Sequence, residues 1–143
     1  MTKPQLLFDS NIIYKIIREQ PQTAVDSLFD SSTIYLAYYE LGNALWRECQ
    51  LLKRISIDEA QESLDCMYSI LAHMQVAQLE SDTGAEILQT AYNFNLTFYD
   101  AAYLVEAKKS GKTLATDDTK LALAAENLGI KIMTSKRLSS DLI

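Results

Sequence analysis

The stretch KTLATDDTKLALAAENLG, residues 112–129, joins a short apolar run to an amphipathic segment through two adjacent carboxylates, Asp117 and Asp118. The apolar run predicts a buried strand, and the amphipathic segment predicts a helix that ends at Gly129. A strand that leads directly into a helix is typical of proteins built around a parallel sheet. The two acids therefore stand where a predicted strand ends and a predicted helix begins.

The same order of strand and helix recurs along the chain. Apolar and β-branched runs predict four further strands, at residues 5–8, 33–37, 75–80 and 130–135. Helical spacing of apolar residues predicts helices over 9–20, 56–74, 81–95 and 96–111, and a helical stripe made of Leu41, Ala44, Leu45 and Leu52. This alternation implies right-handed crossovers and a mainly parallel five-stranded sheet covered on both faces.

Local signals mark two of the helix ends. Ser56, followed three residues later by Glu59, predicts a capping box at the start of one helix. Lys108 and Lys109 just before Gly111 are typical of the end of another helix. These signals agree with the boundaries that the apolar spacing predicts.

The composition is that of an ordered globular protein. Of 143 residues, 48% are hydrophobic and 22% are charged, which argues against a disordered chain, and we expect a single domain over residues 1–143. Cys49 and Cys66 match neither a zinc spacing nor a disulfide framework, so we expect buried thiols in a reducing compartment. No apolar run has the length of a signal peptide or membrane span, and we expect a cytoplasmic protein.

The net charge of −6 argues against a simple electrostatic nucleic-acid binder, because such proteins usually neutralise phosphates with a basic face. That objection weakens if several acids converge on one site and hold divalent cations. The charge of the metal then belongs in the local sum.

Four acids fall at positions where such a site is expected. Asp9 ends the first predicted strand, Glu40 follows the second, Asp118 follows the fourth, and Asp100 begins a helix. Open α/β sheets bind ligands beyond the carboxyl ends of their strands. Each acid taken alone is equally consistent with a helix cap. Four carboxylates crowded at one edge must either raise their pKa values or gather cations, and Mg²⁺ and Mn²⁺ accept such oxygen ligands.

Four segments together resemble a known family: LLFDSNIIYKI, LAYYELGNALWRE, LTFYDAAYLVEAKKSGKTLATDDTKL and LGIKIMT. In order and spacing the chain resembles a PIN-domain ribonuclease, of the sort found as the VapC toxin of toxin–antitoxin pairs. The resemblance implies a three-layer α/β/α sandwich. It also implies Mg²⁺ or Mn²⁺ bound by the acids, and metal-assisted attack of water on an RNA phosphodiester, as in an endoribonuclease.

The resemblance also assigns roles to individual residues. Asp9 and Asp100 correspond best to metal ligands, and Glu40 and Asp118 to the second and fourth acids of the family. Asn11 and Thr116 fall where the family often has small polar residues, although turn or strand-end hydrogen bonding explains them equally well. The Thr-x-Asp spacing favours Asp118 over Asp117, which we expect in an outer shell or in the turn. A cognate antitoxin protein and a homodimer are further implications.

Other side chains allow a functional and a structural interpretation. Four cations lie on helices that leave the acidic edge, where they can contact RNA phosphates or form solvated faces: Lys15, Arg18, Arg47 and Lys120. Four aromatic residues can stack on bases or belong to the core or a dimer contact: Tyr38, Tyr39, Tyr99 and Trp46. His73 lies away from the acids, and we interpret it as structural.

Three alternative functions remain open from the sequence. A phospho-receiver domain has a sheet of similar size, but it needs an acidic pair after its first strand, and this chain has FDSN there. A PIN-like scaffold that only binds a partner is less consistent with the presence of all four acids. A PIN-domain nuclease of RNA processing would act without an antitoxin.

Overall fold

The computed structural model describes residues 5–141, so the first four and last two residues of the predicted domain lie outside the described residues. Five parallel strands form a sheet in the order β3-β2-β1-β4-β5. The strands are β1 (Leu6–Phe8), β2 (Ser32–Ile34), β3 (Gln75–Ala77), β4 (Thr113–Ala115) and β5 (Ile132–Met133). The helices of the described range are α1 (Ser10–Glu19), α2 (Ala24–Leu28), α3 (Leu36–Trp46), α4 (Ile57–Leu71), α5 (Gly84–Phe94), α6 (Phe98–Ser110), α7 (Thr119–Asn127) and α8 (Ser135–Asp141).

Helices cover both faces of the sheet. Phe8 packs in a core with apolar residues of α1, α2, α3 and α4. Its neighbour Leu7 packs in a second core with Leu114 and apolar residues of α6 and α7. Successive side chains of a strand point to opposite faces, so these adjacent residues divide the two cores between them. The predicted three-layer α/β/α architecture with a parallel five-stranded sheet is confirmed.

The strand order separates this fold from the receiver alternative. Receiver domains have the order 2-1-3-4-5, in which β1 lies between β2 and β3. Here β1 lies between β2 and β4, and β3 is an edge strand. The topology therefore excludes a receiver fold.

The second strand differs most from its prediction. The run at 33–37 was predicted as a strand because its residues are β-branched and aromatic, but β2 ends at Ile34. The Tyr35 amide still bonds to the Ala77 carbonyl at 2.8 Å, yet Tyr35 itself has helical dihedrals and the amide of Tyr38 bonds back to its carbonyl. Tertiary packing of α3 here overrides the β propensity of the sequence.

Smaller differences concern short elements and single side chains. The short helices α2 and α8 were not predicted, and Leu52 lies beyond α3 and is exposed. Cys66 is also exposed, so the expectation of two buried thiols is wrong, although both cysteines are free. The predicted capping box is confirmed, because the Glu59 amide donates to Ser56 Oγ at 3.1 Å and the Ser56 amide donates to Glu59 Oε1 at 3.2 Å. None of the helices within residues 5–141 has the length and apolar character to cross a bilayer.

Candidate active site

The pairing of β1 with β4 brings two parts of the site together. Phe8 lies beside Ala115 in the parallel register, so the residues that follow, Asp9 and Thr116, emerge side by side at the carboxyl edge of the sheet. The Thr116 hydroxyl donates to Asp9 Oδ2 at 2.5 Å, and the Ile12 amide donates to Asp9 Oδ1 at 3.0 Å. Asp9 is therefore both the N-cap of α1 and a fixed carboxylate at the predicted edge.

Asp9 is buried, with only 5% of its surface exposed. Its pKa is raised from 3.8 to about 6, mainly by burial; the charges of Asp117 and Asp118 add to the shift, and the hydrogen bonds from Thr116 and Ile12 oppose it. A carboxylate that is buried among other carboxylates is expected to hold a proton or a cation near neutral pH.

Glu40 is oriented by two hydroxyl groups from other helices. The Tyr103 hydroxyl of α6 donates to Glu40 Oε1 at 2.7 Å, and the Ser10 hydroxyl of α1 donates to the same oxygen at 3.1 Å. Burial and the neighbouring Glu40 carboxylate raise the pKa of Tyr103, so the phenol stays protonated and remains a donor. The half-buried Glu40 side chain is thus tied to the helices that carry Asp9 and Asp100.

Asp100 lies in the first turn of α6, and its amide donates to the Thr97 hydroxyl at 3.1 Å. Burial raises the pKa of Asp100, and the charge of Asp118 raises it further, whereas Thr97 and Lys120 oppose the shift. Asp100 and Asp118 are therefore close enough for each to sense the charge of the other.

The adjacent acids Asp117 and Asp118 point to different partners. Asp118 is the N-cap of α7, with the amides of Lys120 and Leu121 donating to its Oδ1 at 2.9 and 3.1 Å. Asp117 instead accepts two hydrogen bonds from Ser135, at 2.8 Å from the amide and 2.5 Å from the hydroxyl. It thereby joins the β4–α7 turn to the start of α8.

The electrostatics of Asp117 also differ from those of the other acids. Burial alone would raise its pKa, but the hydrogen bonds from Ser135 and the ammonium group of Lys15, 3.8 Å away, lower it below the ordinary value. Asp117 therefore stays ionised beside Ser135 and Lys15, and its negative charge still acts on Asp9.

The carboxylates suit a hard cation, although they do not form a finished ligand cage. Among residues 5–141, no group of three or more His, Cys, Asp or Glu side chains could hold a metal ion as the side chains stand. Mg²⁺ needs few protein ligands, because it keeps several waters and is commonly held by one or two carboxylates. Both backbone amides that bond to Asp118 donate to its Oδ1. Both hydroxyl groups that bond to Glu40 donate to its Oε1. Asp118 Oδ2 and Glu40 Oε2 therefore accept no hydrogen bond within the described range. Those oxygens are available to an ion or to its waters.

Two residues of this arrangement were missed by the sequence analysis. Ser10 follows Asp9 directly, and Tyr103 lies three residues after Asp100 on the same face of α6. Their spacing from the acids was a usable signal, but their partner Glu40 lies on a third helix. Thr116, an auxiliary candidate, lies between the acids: it donates to Asp9 and accepts from the Asp118 amide at 3.0 Å.

The remaining candidates divide between structural and exposed positions. His73 stacks on Phe29 with ring centroids 4.3 Å apart, as expected of a structural residue. Arg18 donates to Ser63 at 2.9 Å on α4, away from the acids. Tyr39 and Tyr99 are exposed and line an apolar groove of about 770 Å³ beyond the end of β3.

The fold and the acids at its edge define an α/β/α protein of the PIN type. The family described as the PIN domain matches residues 6–127, and the chain belongs to this family. Over 105 residues it is 36% identical to a protein of Pyrobaculum aerophilum named Exonuclease VapC9, a match that covers 69% of this chain and 74% of the relative. Over 110 residues it is 34% identical to Ribonuclease VapC3 of the same organism, covering 73% and 78%.

Two solved structures share the fold. The crystal structure of PAE2754 from Pyrobaculum aerophilum has a TM-score of 0.78 at 24% sequence identity, covering 97% of this chain and 95% of that one. The crystal structure of FitAcB from Neisseria gonorrhoeae has a TM-score of 0.61 at 20% identity, covering 92% and 99%. At these identities the likeness shows the fold alone.

Proposed function

We propose that this protein is a metal-dependent endoribonuclease and the toxin of a type II toxin–antitoxin pair. One observation supports the proposal: the charge of Asp118 acts on both Asp9 and Asp100, and the pKa of Asp9 is raised to about 6, mainly by burial. Perturbed carboxylates gathered at one edge are typical of functional sites. The names of the curated relatives, an exonuclease and a ribonuclease, support nuclease chemistry for such a cluster.

The residues that would hold the metal are Asp9, Glu40, Asp100 and Asp118. A bound Mg²⁺ or Mn²⁺ lowers the pKa of a water molecule and stabilises charge that develops on a phosphate. The chain itself supplies orientation. Thr116 fixes Asp9, while Ser10 and Tyr103 fix Glu40, so the carboxylates are held before substrate arrives.

The proposed partners are an RNA substrate, a cognate antitoxin and a second copy of the chain, in the cytoplasm. The VapC names of both relatives support an antitoxin. The apolar groove beyond β3 supports a protein partner, because exposed aromatic side chains such as Tyr39 and Tyr99 rarely cluster on a surface without one. The alternative is a PIN-domain nuclease of RNA processing without an antitoxin. An adjacent upstream gene for a small basic or DNA-binding protein favours the toxin.

The decisive experiment is incubation of the purified protein with a pool of tRNA, rRNA and mRNA in Mg²⁺, Mn²⁺ or EDTA. We expect discrete fragments with either metal and none in EDTA. Unchanged cleavage in EDTA contradicts the metal requirement, and no cleavage under any condition favours the scaffold alternative. A circular RNA substrate tests the mode of cleavage, because only an endonuclease can open it, whereas an exonuclease needs a free end.

A further inference from the structure

A polar cleft continues from Glu40 along the outer side of the site. It has a volume of about 330 Å³ and runs between α1, α3 and the widened π-helical segment Arg47–Leu51. We call it the Arg47 cleft and define it by Asn11, Tyr14, Glu40, Asn43 and Arg47. Glu40, Asn43 and Arg47 recur at intervals of three and four residues, which places them along one face. The cleft therefore begins at a proposed metal ligand and leads away from it.

We propose that the Arg47 cleft binds the phosphate and base of the RNA nucleotide next to the bond that is cut. This inference rests on the proposed function, because it names how the same site takes its substrate. On this proposal, Arg47 is the cation that binds a phosphate at the edge of the acidic site.

The charges that line the cleft favour a phosphate at Arg47. Glu48 also lines the cleft, but its carboxylate pairs with Arg54 at 3.5 Å and is only 22% exposed. Arg47 is exposed and forms no ion pair within residues 5–141. Its guanidinium can offer two parallel N–H donors to a phosphate. Because the chain has a net charge of −6, an exposed cation such as Arg47 in the same cleft as Glu40 can attract the RNA backbone and position it beside the acids.

The polar groups that line the cleft suit a base rather than a second phosphate. Asn11 and Asn43 are exposed, and each carboxamide offers a donor and an acceptor to the edge of a base. Tyr14 belongs to the same wall, and the guanidinium of Arg18 lies 5.9 Å from the centre of its ring. The π-helical turn that begins at Arg47 is itself a feature found often at functional sites.

The test compares Arg47→Gln with Lys131→Gln, a matched change at the opposite edge. Lys131 is exposed and precedes β5, at the amino ends of the parallel strands. Binding of a labelled single-stranded RNA is measured by fluorescence anisotropy in EDTA, where the RNA is not cut, across a salt series. Loss of one phosphate contact reduces the slope of log K against log salt by about 0.7. If the variant and the wild type bind RNA equally at 1 M salt, this change in slope makes binding by the variant roughly eightfold weaker at 50 mM salt and roughly threefold weaker at 200 mM salt.

We expect these losses for Arg47→Gln and none for Lys131→Gln. Cleavage in Mn²⁺ should show the same loss as a raised KM with kcat kept. Asn43→Ala should weaken binding equally at both salt concentrations, because it removes a contact without charge. If wild type binds and cleaves RNA but Arg47→Gln behaves as Lys131→Gln does, the cleft assignment is wrong and the proposed function stands. If wild type neither binds nor cleaves RNA, both fall.

Discussion

Replacement of Asp9 by asparagine removes a buried charge while keeping the shape of the side chain. Asparagine is as good an N-cap as aspartate, so the amide of Ile12 keeps its acceptor. The Thr116 hydroxyl can accept from the new amide group in place of its present bond to Asp9. The substitution therefore isolates the electrostatic effect of the carboxylate from its role in capping α1.

The shift in the pKa of Asp9 sets how much the Asp9→Asn substitution changes the free energy of unfolding. A shift from 3.8 in the unfolded chain to about 6 in the folded protein corresponds to about 3 kcal/mol, at about 1.4 kcal/mol for each pH unit. Between these values the folded state binds more protons than the unfolded chain, so the free energy of unfolding rises as the pH falls from about 6 to about 4. The raised pKa of Asp100 acts in the same direction. Asp117 has a lowered pKa, and its stabilisation is lost only below the ordinary value of 3.8.

We expect metal-free Asp9→Asn to be more stable than wild type at pH 7 by up to about 3 kcal/mol, or roughly 10 °C in Tm. This advantage should disappear near pH 4, where Asp9 of the wild type is protonated. The measurement is thermal and urea unfolding in EDTA from pH 4 to pH 8. Asp65→Asn, at an exposed position on α4, controls for the general loss of one negative charge. Added Mn²⁺ should stabilise the wild type more than Asp9→Asn.

Two results would refute this reasoning. A less stable Asp9→Asn at pH 7 would mean that the ionised carboxylate stabilises the metal-free fold through its hydrogen bonds. An equal gain in Asp65→Asn would mean that net charge, and not the burial of Asp9, destabilises the protein.

Three further predictions address other parts of the site and fold. Asp118→Asn should keep the cap of α7 but lower cleavage 10–100-fold or more at saturating Mn²⁺. Asp117→Asn should lower cleavage less, and it should destabilise the protein by weakening the contact with α8. If Asp117→Asn lowers cleavage more than Asp118→Asn does, the ligand role belongs to Asp117. Tyr103→Phe removes a hydrogen bond to the Glu40 carboxylate, which should cost about 1.5–3 kcal/mol in transition-state stabilisation or in fold stability. Cleavage kinetics measure the first quantity and urea unfolding measures the second. Unchanged values in both assays would contradict the orienting role of Tyr103. Ser56→Ala should lower the free energy of unfolding by about 1 kcal/mol through loss of the capping box, with cleavage unchanged in the folded protein.

The sequence was sufficient for the fold class because the relevant signals are local. Alternating strands and helices predicted the parallel sheet, and the Ser56 and Gly111 signals predicted helix ends that the structure has. The second strand was predicted too long because propensity at Tyr35 favours strand, and only packing shows that the helix begins at Leu36.

For the candidate site, the sequence identified the acids and the tertiary structure decided their relations. From the sequence, each acid could be either a helix cap or part of the acidic site. The two roles are compatible, because Asp9 and Asp118 cap helices and also lie at the acidic edge. Glu40 has partners 30 and 63 residues away along the chain, and no local pattern predicts which hydroxyls will reach it.

The sequence by itself determined which residues are acidic, where strands meet helices, and hence which carboxylates could gather at one edge. Only the tertiary structure decided that Ser135 holds Asp117, and that the charge of Asp118 acts on both Asp9 and Asp100 whereas that of Asp117 acts on Asp9. The physical reason is that periodicity and capping depend on neighbours within one turn of chain, whereas the partners and pKa of a side chain depend on its burial and on charges that folding brings close.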